Sequence, residues 1–386
     1  MESTLSVWDM IWKTIQSICV LYAFCSIIWN IIIPISWKEK ITQKIRKTFK
    51  KLKFIDDTSF LAKLIFDDVS LIEGGDLDCK IIFSIDKTPV NVPDDLKNIG
   101  ERIKAENELR LKNGQSPVYT DLHPYAIHSI TSFRDDKKNR GEMSMIQLKI
   151  RESSYFYSLI SIQAMNEPLK DGSTVREKYY KKVIETPKNP SPDGYDIVHA
   201  FGMNTLALTK DNCFVFCKRN SSTVPTGQGC YHLSVGEHLN RDVLDLDKHN
   251  EPNAIEIIKK GFLQELGVEL NEEEKNTIHF YGIAFAKSVC QYGVLGFTHL
   301  NNHSNEIIKP SWNTSKDGQY ESDGIVFIDA DIASIIDFLN NNPNVSMTKF
   351  CFLNVCYALM NEPILGRISL NRIDKELKRL RPNALK

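Results

Sequence analysis

The sequence predicts an α+β fold, in which a sheet packs against helices, preceded by an N-terminal membrane span. Three observations lead to this expectation. Residues 254–270, AIEIIKKGFLQELGVEL, place apolar side chains on one face of a helix that ends at Gly267. Two apolar runs within 201–220 are joined at 210–212 by Lys-Asp-Asn, which is typical of a β-hairpin. Residues 15–36 contain no charged side chain.

Composition bounds the class of protein. The chain has 386 residues, 42% hydrophobic and 25% charged, which is ordinary for a folded protein of two or three domains. Its nine cysteines include no C-x-x-C pair. An odd count without zinc spacing excludes a disulfide scaffold and a zinc finger, and it indicates reduced thiols in a cytosolic domain.

The N-terminal segment, residues 1–37, is predicted to cross a membrane. Its uncharged run is about as long as the roughly 20 residues that a helix needs to span the hydrocarbon core. Trp12 and Trp37 bracket the run, as interfacial aromatic residues do. A secretory signal peptide fits poorly, because the basic cluster follows the apolar run instead of preceding it. We therefore expect a single pass with the N-terminus outside and the chain from Lys38 onward in the cytoplasm.

Small and polar residues recur at helical spacing within this run, which favours a helix–helix interface in the membrane and hence a homo-oligomer. Chance scatter of tolerated residues is the alternative. Residues 38–54 follow with eight Lys and Arg against Glu39 alone, and their apolar positions predict a basic amphipathic helix on lipid headgroups. The predicted transmembrane interface consists of Gln16, Cys19, Ala23, Ser26 and Asn30.

Residues 55–190 are predicted to be a mixed α/β region with little recognisable chemistry. Residues 101–114 read as a solvated helix and residues 155–165, YFYSLISIQAM, as a buried strand. The proline-rich segment 186–194 is predicted to be a linker.

A second region, residues 195–335, carries the hairpin, the helix and further strands. The remaining chain, 336–386, is predicted to be a helical extension. The further predicted strands lie within 230–238, 278–286, 293–300 and 323–331.

The order of a hairpin, a Gly-Glu turn and an amphipathic helix ending in Glu-Leu-Gly-Val resembles the Nudix hydrolase domain, whose signature is G-x5-E-x7-R-E-U-x-E-E-x-G-U, with U an aliphatic residue. This resemblance covers residues 195–335 and implies a Nudix-like α/β/α sandwich. The positions that match or lie near the signature are Gly236, Glu251, Lys260, Phe262, Glu265, Gly267 and Val268.

The resemblance also implies a metal site, but this sequence lacks some of the residues that form that site in the family. In the family, helix carboxylates bind divalent metals that activate water. Here Gly261 and Gln264 occupy two of the three positions, so Glu265 is the one remaining candidate ligand. We therefore expect no catalytic residues, no bound metal and no cofactor, with Mg²⁺ needed only if an atypical hydrolase site exists.

Fewer carboxylates and nearby cations favour a pocket that accepts a phosphate. The alternative is that the lysines only form a solvated helix face. The chain beyond the basic cluster is acidic, which argues against binding bulk nucleic acid. The candidate ligand-binding residues are Lys218, Arg219, Gly236, Glu237, His238, Lys259, Lys260, Gln264 and Glu265.

A membrane segment ahead of a degenerate Nudix-like domain is similar to the membrane effectors of bacterial CBASS antiphage defence. That resemblance implies a cytoplasmic domain that senses a cyclic nucleotide second messenger and drives transmembrane assembly and disruption of the inner membrane. Its partners would be the nucleotide, the lipid bilayer and further copies of the chain. Two alternatives remain open: a membrane-anchored nucleoside diphosphate hydrolase with an atypical metal site, and a non-catalytic adaptor.

Overall fold

A computed structural model of the protein describes most of the chain beyond its N-terminal segment. The membrane span predicted at 15–36, its interface residues and the amphipathic helix at 38–54 lie outside the described residues. These comprise 59–115, 123–135, 143–162, 164–199, 201–222, 224, 226–240 and 251–386.

One mixed sheet of ten strands runs through the described residues, in the order β10-β5-β4-β9-β8-β1-β3-β2, with β6 beside β5 and β7 beside β4. The pairs β1–β3 and β4–β9 are parallel, and the other pairs are antiparallel. The strands are β1 (Val69–Asp86), β2 (Tyr125–Asp135), β3 (Met143–Glu152), β4 (Phe201–Thr209), β5 (Cys213–Arg219), β6 (Tyr231–His232), β7 (Val235–His238), β8 (His279–Ala286), β9 (Gln291–Leu300) and β10 (Ser322–Asp329).

Helices pack on both faces of this sheet. The helices are α1 (Phe60–Ile65), α2 (Asp94–Lys112), α3 (Tyr155–Ile162), a π-helical turn (Arg176–Tyr180), α4 (Lys181–Glu185), α5 (Ala254–Leu266), α6 (Glu272–Lys275), α7 (Asn305–Thr314), α8 (Lys316–Glu321), α9 (Ile332–Asn341), α10 (Lys349–Asn361) and α11 (Leu370–Leu377). Apolar residues of α2, α3 and α5 share one core with the sheet, and those of α1, α9, α10 and α11 share a second.

Local sequence explains the boundaries of α5. The Asn253 side chain accepts hydrogen bonds from the backbone N–H groups of Ile255 and Glu256, so it caps the N-terminus. Gly267 closes the helix with φ of 67°, a left-handed conformation that suits glycine. The helix prediction is confirmed. The hairpin prediction is also confirmed, since β4 and β5 pair and Asn212 takes a positive φ in the turn between them.

The prediction of a Nudix-like sandwich behind a transmembrane helix is wrong. The long strand β1 pairs in parallel with β3 and antiparallel with β8, so the regions before and after the proline-rich segment share one sheet. Among the helices that the structure describes, none is both long and apolar enough to cross a membrane. The description of the protein as a membrane-spanning Nudix-like chain is corrected accordingly.

The expected strand at 155–165 is instead the helix α3, which packs against α2. A short continuous apolar run does not distinguish a strand from a buried helix by periodicity, which explains the error. The predicted helix at 101–114 is confirmed as part of α2, and Gly114 takes a left-handed φ of 69° just beyond its end.

The segment predicted as a linker is tied to the sheet by a buried carboxylate. Asp196 accepts hydrogen bonds from Asn91 N at 2.9 Å, Arg151 Nη1 at 2.8 Å and Ser191 Oγ at 3.0 Å. His128 Nδ1 lies 2.8 Å from Oδ1 of the same carboxylate, the oxygen that also accepts from Ser191. Burial opposes the charged form, but these partners prevail and hold the pKa of Asp196 below its ordinary value.

We expect Asp196→Ala to lower the free energy of unfolding by about 3–5 kcal/mol, because it leaves Arg151 part-buried without one of its carboxylates. Urea denaturation measures this change. Lys182→Ala is the control, since its ion pair with Asp193 is largely exposed and removing it should alter stability by less than about 1 kcal/mol. Equal losses in the two variants would contradict the role assigned to the network.

Candidate functional site

The candidate site begins where α5 lies directly on β7. A Cβ atom at Gly261 would stand 2.5 Å from Glu237 Cγ and 2.5 Å from Val235 Cγ1, which is closer than real contacts allow. Only glycine therefore fits between this helix and this strand. The position where the signature would carry a carboxylate is occupied by the side chain of Glu237, which comes from the neighbouring strand.

Glu265 reaches the same strand from the next turn of α5. Its Oε1 accepts a hydrogen bond from the backbone N–H of Gly236 at 2.9 Å. The residue is only 9% exposed. A buried carboxyl group that receives one hydrogen bond is held in position, so Glu265 and Glu237 are fixed on the two sides of the helix–strand contact.

Burial and mutual repulsion change the protonation of this cluster. Burial raises the pKa of Glu237 from its ordinary 4.5 to about 8, helped by the charges of Glu321 and Asp317 and opposed by Lys260. The pKa of Glu265 is raised well above its ordinary value, again first by burial and then by Glu321 and Glu237. A pKa of about 8 keeps the Glu237 carboxyl group largely in its acid form at neutral pH, and the shift at Glu265 favours the same form, which donates a hydrogen bond as well as accepting one.

A third carboxyl group and a cation complete the cluster. Burial raises the pKa of Glu321, at the end of α8, and the positive charge of Arg219 opposes that rise. Arg219 ends β5 and donates from Nε to the carbonyl oxygen of Thr226 at 2.8 Å. Within the part of the chain that the structure describes, the guanidinium makes no ion pair. The terminal N–H groups of the guanidinium are therefore available to bind an anionic ligand.

A cleft of about 290 Å³ opens beside the carboxyl cluster, between α5 and α8. The helix α8 is docked closely, because Ser315 Oγ donates to the carbonyl oxygen of Gln264 and Gly318 approaches the carbonyl oxygen of Glu265 without room for a Cβ. The residues that line the cleft are Leu263, Gln264, Gly267, Thr314, Ser315 and Asp317.

The structure brings most of the predicted ligand-binding residues to this place, but three of them face elsewhere. Lys259 lies 3.8 Å from Glu256 in an ion pair on another face of α5. Lys218 is adjacent to Arg219 in β5, and His238 is adjacent to Glu237 in β7. Because successive side chains of a strand point to opposite faces of the sheet, Lys218 and His238 point away from the site. The predicted residues that the cluster and cleft do contain are Arg219, Gly236, Glu237, Lys260, Gln264 and Glu265.

Sequence reasoning missed Asp317 and Glu321. Both come from α8, which is brought to α5 by packing and not by proximity in the chain, so no spacing rule points to them. Glu251, near the first Glu of the signature, is directed away from the cluster, because its Oε2 accepts a hydrogen bond from the backbone N–H of Ile85 at 2.7 Å. Among the described residues, no three His, Cys, Asp or Glu side chains are arranged to hold a metal ion.

Comparisons with known proteins do not identify this chain. No protein-family profile matches it, and neither does any curated protein. Among solved structures, the crystal structure of DR0079 from Deinococcus radiodurans is similar over 37% of this chain and 74% of its own, at 9% identity and a TM-score of 0.25. A similarity at that level carries no argument about function.

We expect Gly261→Ala to destabilise the protein by about 1–3 kcal/mol, because the added methyl group collides with Val235 and Glu237. This loss would outweigh the gain of about 1 kcal/mol that alanine gives a helix over glycine. Thermal and urea unfolding measure the change. Gly324→Ala is the matched control, since a Cβ there meets no atom within 4 Å. A Gly261→Ala variant at least as stable as the parent would exclude the close contact.

The raised pKa of Glu237 predicts how stability depends on pH. The unfolded chain releases this proton near the ordinary pKa of 4.5, whereas the folded chain keeps it to about pH 8. The free energy of unfolding should therefore fall as pH rises between these values, by up to about 1.4 kcal/mol per pH unit for one proton. Glu237→Gln, which cannot ionise, should make this dependence less steep in urea titrations between pH 5 and 8, while Glu265, whose pKa is also raised, continues to contribute.

The matched control for this titration is Glu269→Gln, which removes an exposed carboxylate just beyond the same helix. It should leave the slope of the parent unchanged. If Glu237→Gln has the same slope as the parent, Glu237 is ionised in the folded protein and the protonated cluster does not exist.

Proposed function

We propose that this protein binds a nucleotide at the α5–β7 site and senses it without hydrolysing it, and that the ligand is a cyclic oligonucleotide. The observation that carries the proposal is the Arg219 guanidinium, whose positive charge acts on the carboxyl groups of Glu265 and Glu321 and which makes no ion pair among the described residues. Sensing of such a signal in antiviral defence is the role expected from the sequence. From that role we retain the binding and sensing of the nucleotide, and we do not propose that the protein disrupts a membrane.

Neutral carboxyl groups make an anionic ligand acceptable at this site. Three ionised glutamates would repel a phosphate, but the pKa of Glu237 is raised to about 8 and the pKa of Glu265 is also raised, so both carboxyl groups are shifted toward the neutral form. The charged groups that remain include Arg219 and Lys260, both positive, and the exposed carboxylate of Asp317, which is negative. A guanidinium binds phosphate oxygens through parallel hydrogen bonds, and a carboxylic acid adds a further donor.

The same charge balance favours a phosphodiester over a diphosphate. Each phosphodiester of a cyclic oligonucleotide carries one negative charge, whereas a nucleoside diphosphate concentrates several on adjacent groups. Enzymes that act on diphosphates neutralise that charge with divalent metals held by ionised oxygen ligands. Here Gly261 and Gln264 stand where two such ligands would be, and burial raises the pKa of Glu265, which disfavours the ionised form that a metal requires. A ligand of low charge density matches what the described residues offer.

Isothermal titration calorimetry on the full chain tests this proposal with cyclic di-GMP, cyclic di-AMP and cyclic GMP-AMP. We expect binding that weakens as salt is added, because the contacts are cationic. Binding should also weaken as pH rises through about 8, since ionised Glu237 would then repel the phosphate. Arg219→Ala should reduce affinity at least about tenfold, consistent with the loss of a charge-assisted hydrogen bond.

Two further variants separate charge from geometry. Arg219→Lys keeps the positive charge but loses the planar fork, so it should restore only part of the affinity. Lys259→Ala removes a lysine that pairs with Glu256 away from the site, and it should bind as the parent does. If the parent protein releases phosphate from nucleoside diphosphates in the presence of Mg²⁺ and Glu265→Gln abolishes that release, the protein is a hydrolase and the proposal is overturned.

A further inference from the structure

The cleft between α5 and α8 is lined by two residues whose polar side chains have no partner among the described residues. These residues are Gln264 and Asp317. Neither side chain forms a hydrogen bond or an ion pair in the part of the chain that the structure describes. A residue that can donate hydrogen bonds and a residue with a negatively charged acceptor thus border one opening, where a ligand with complementary groups would replace water.

Apolar side chains stand beside these polar groups. Leu263 lines the cleft and is 53% exposed, and Tyr320 is 63% exposed. Tyr320 follows Asp317 by three residues on α8, so the two side chains lie on neighbouring positions of one helix surface. Exposed aliphatic and aromatic surface next to hydrogen-bonding groups is the combination that a nucleobase requires, since a base presents an apolar face and a polar edge.

The size of the cleft limits what it holds. At about 290 Å³ it lies at the lower end of the roughly 300–1,000 Å³ that ligand pockets usually occupy. That volume suits a single ring system better than a whole oligonucleotide. The cleft also adjoins the phosphate-binding groups, because Gln264 precedes Glu265 and the charge of Asp317 acts on Glu237.

We infer that this cleft is a base-recognition subsite that selects guanine. The N1–H and the exocyclic amino group of guanine are adjacent donors, and the Asp317 carboxylate accepts from both. The amide of Gln264 can donate to guanine O6 from the side of α5. Adenine presents an unprotonated N1 at the same edge, which the carboxylate repels. The inference rests on the proposed function, because it names the base of the nucleotide bound at the α5–β7 site.

Calorimetry on the full chain with cyclic di-GMP and cyclic di-AMP tests the selectivity. We expect the parent to bind cyclic di-GMP at least about tenfold more tightly, which corresponds to about 1.4 kcal/mol and is in the range of one good base contact. Asp317→Asn should reduce this preference to about twofold or less, because the amide no longer repels adenine N1. Asp317 is exposed, so the substitution should not impair folding.

Glu269→Gln is the matched control, because it removes a nearby exposed carboxylate that does not line the cleft, and it should keep the preference for guanine. Guanosine and adenosine, which lack phosphate, report the base subsite alone. Equal binding of the two cyclic dinucleotides by the parent would overturn the guanine subsite and leave the proposed function intact. Failure of both to bind would overturn the proposed function, and the inference with it.

Discussion

The contact between α5 and β7 at Gly261 determines the rest of the site. Because no side chain separates the helix from the strand there, the backbone of β7 comes within reach of Glu265, and Gly236 N–H donates to its carboxyl group at 2.9 Å. The same closeness buries Glu237 against the helix. A larger residue at position 261 would hold the two elements apart and hydrate both carboxyl groups. The raised pKa values of Glu237 and Glu265 therefore follow from the lack of a side chain at Gly261.

Where burial brings acids so close together, retaining their protons avoids placing several negative charges in a poorly solvated environment. The groups concerned are Glu237 and Glu265, whose pKa values burial raises first and neighbouring charge raises further. Arg219 is close enough to oppose that rise at Glu265 and at Glu321, but it does not reverse it. The outcome is a site that is less acidic at neutral pH than its residue types indicate, and this is what makes an anionic ligand plausible on physical grounds.

The sheet that holds this site is formed by strands that are distant in the sequence. The strand β1 joins β8 on one side and β3 on the other, so the region before the proline-rich segment and the region after it share a continuous sheet. The buried carboxylate of Asp196 fixes that segment to β3 through Arg151 and to the chain after β1 through Asn91. This arrangement accounts for the failure of the expected sandwich, because a local pattern of hairpin and helix does not specify how many strands the sheet finally includes.

The sequence by itself determined the elements whose signals are local. Asn253 and Gly267 bound α5, and a turn of Lys-Asp-Asn joins β4 to β5, because caps and turns act through residues next to one another. It also predicted that Arg219 and Glu265 belong to one ligand site, and in the structure the charge of Arg219 acts on the Glu265 carboxyl group. Only the tertiary structure decided that 155–162 is a helix, since an apolar run takes its conformation from what it packs against.

The tertiary structure alone also brought Asp317 and Glu321 to the site and turned Lys259 away from it. These outcomes depend on how α8 docks on α5 and on which face of α5 meets the sheet. Such contacts join residues that are distant in the chain, and their geometry arises from packing and close backbone approach. Residue spacing therefore predicted the helix and its ends, while the packing of that helix decided which side chains share the cleft and which protons the carboxyl groups keep.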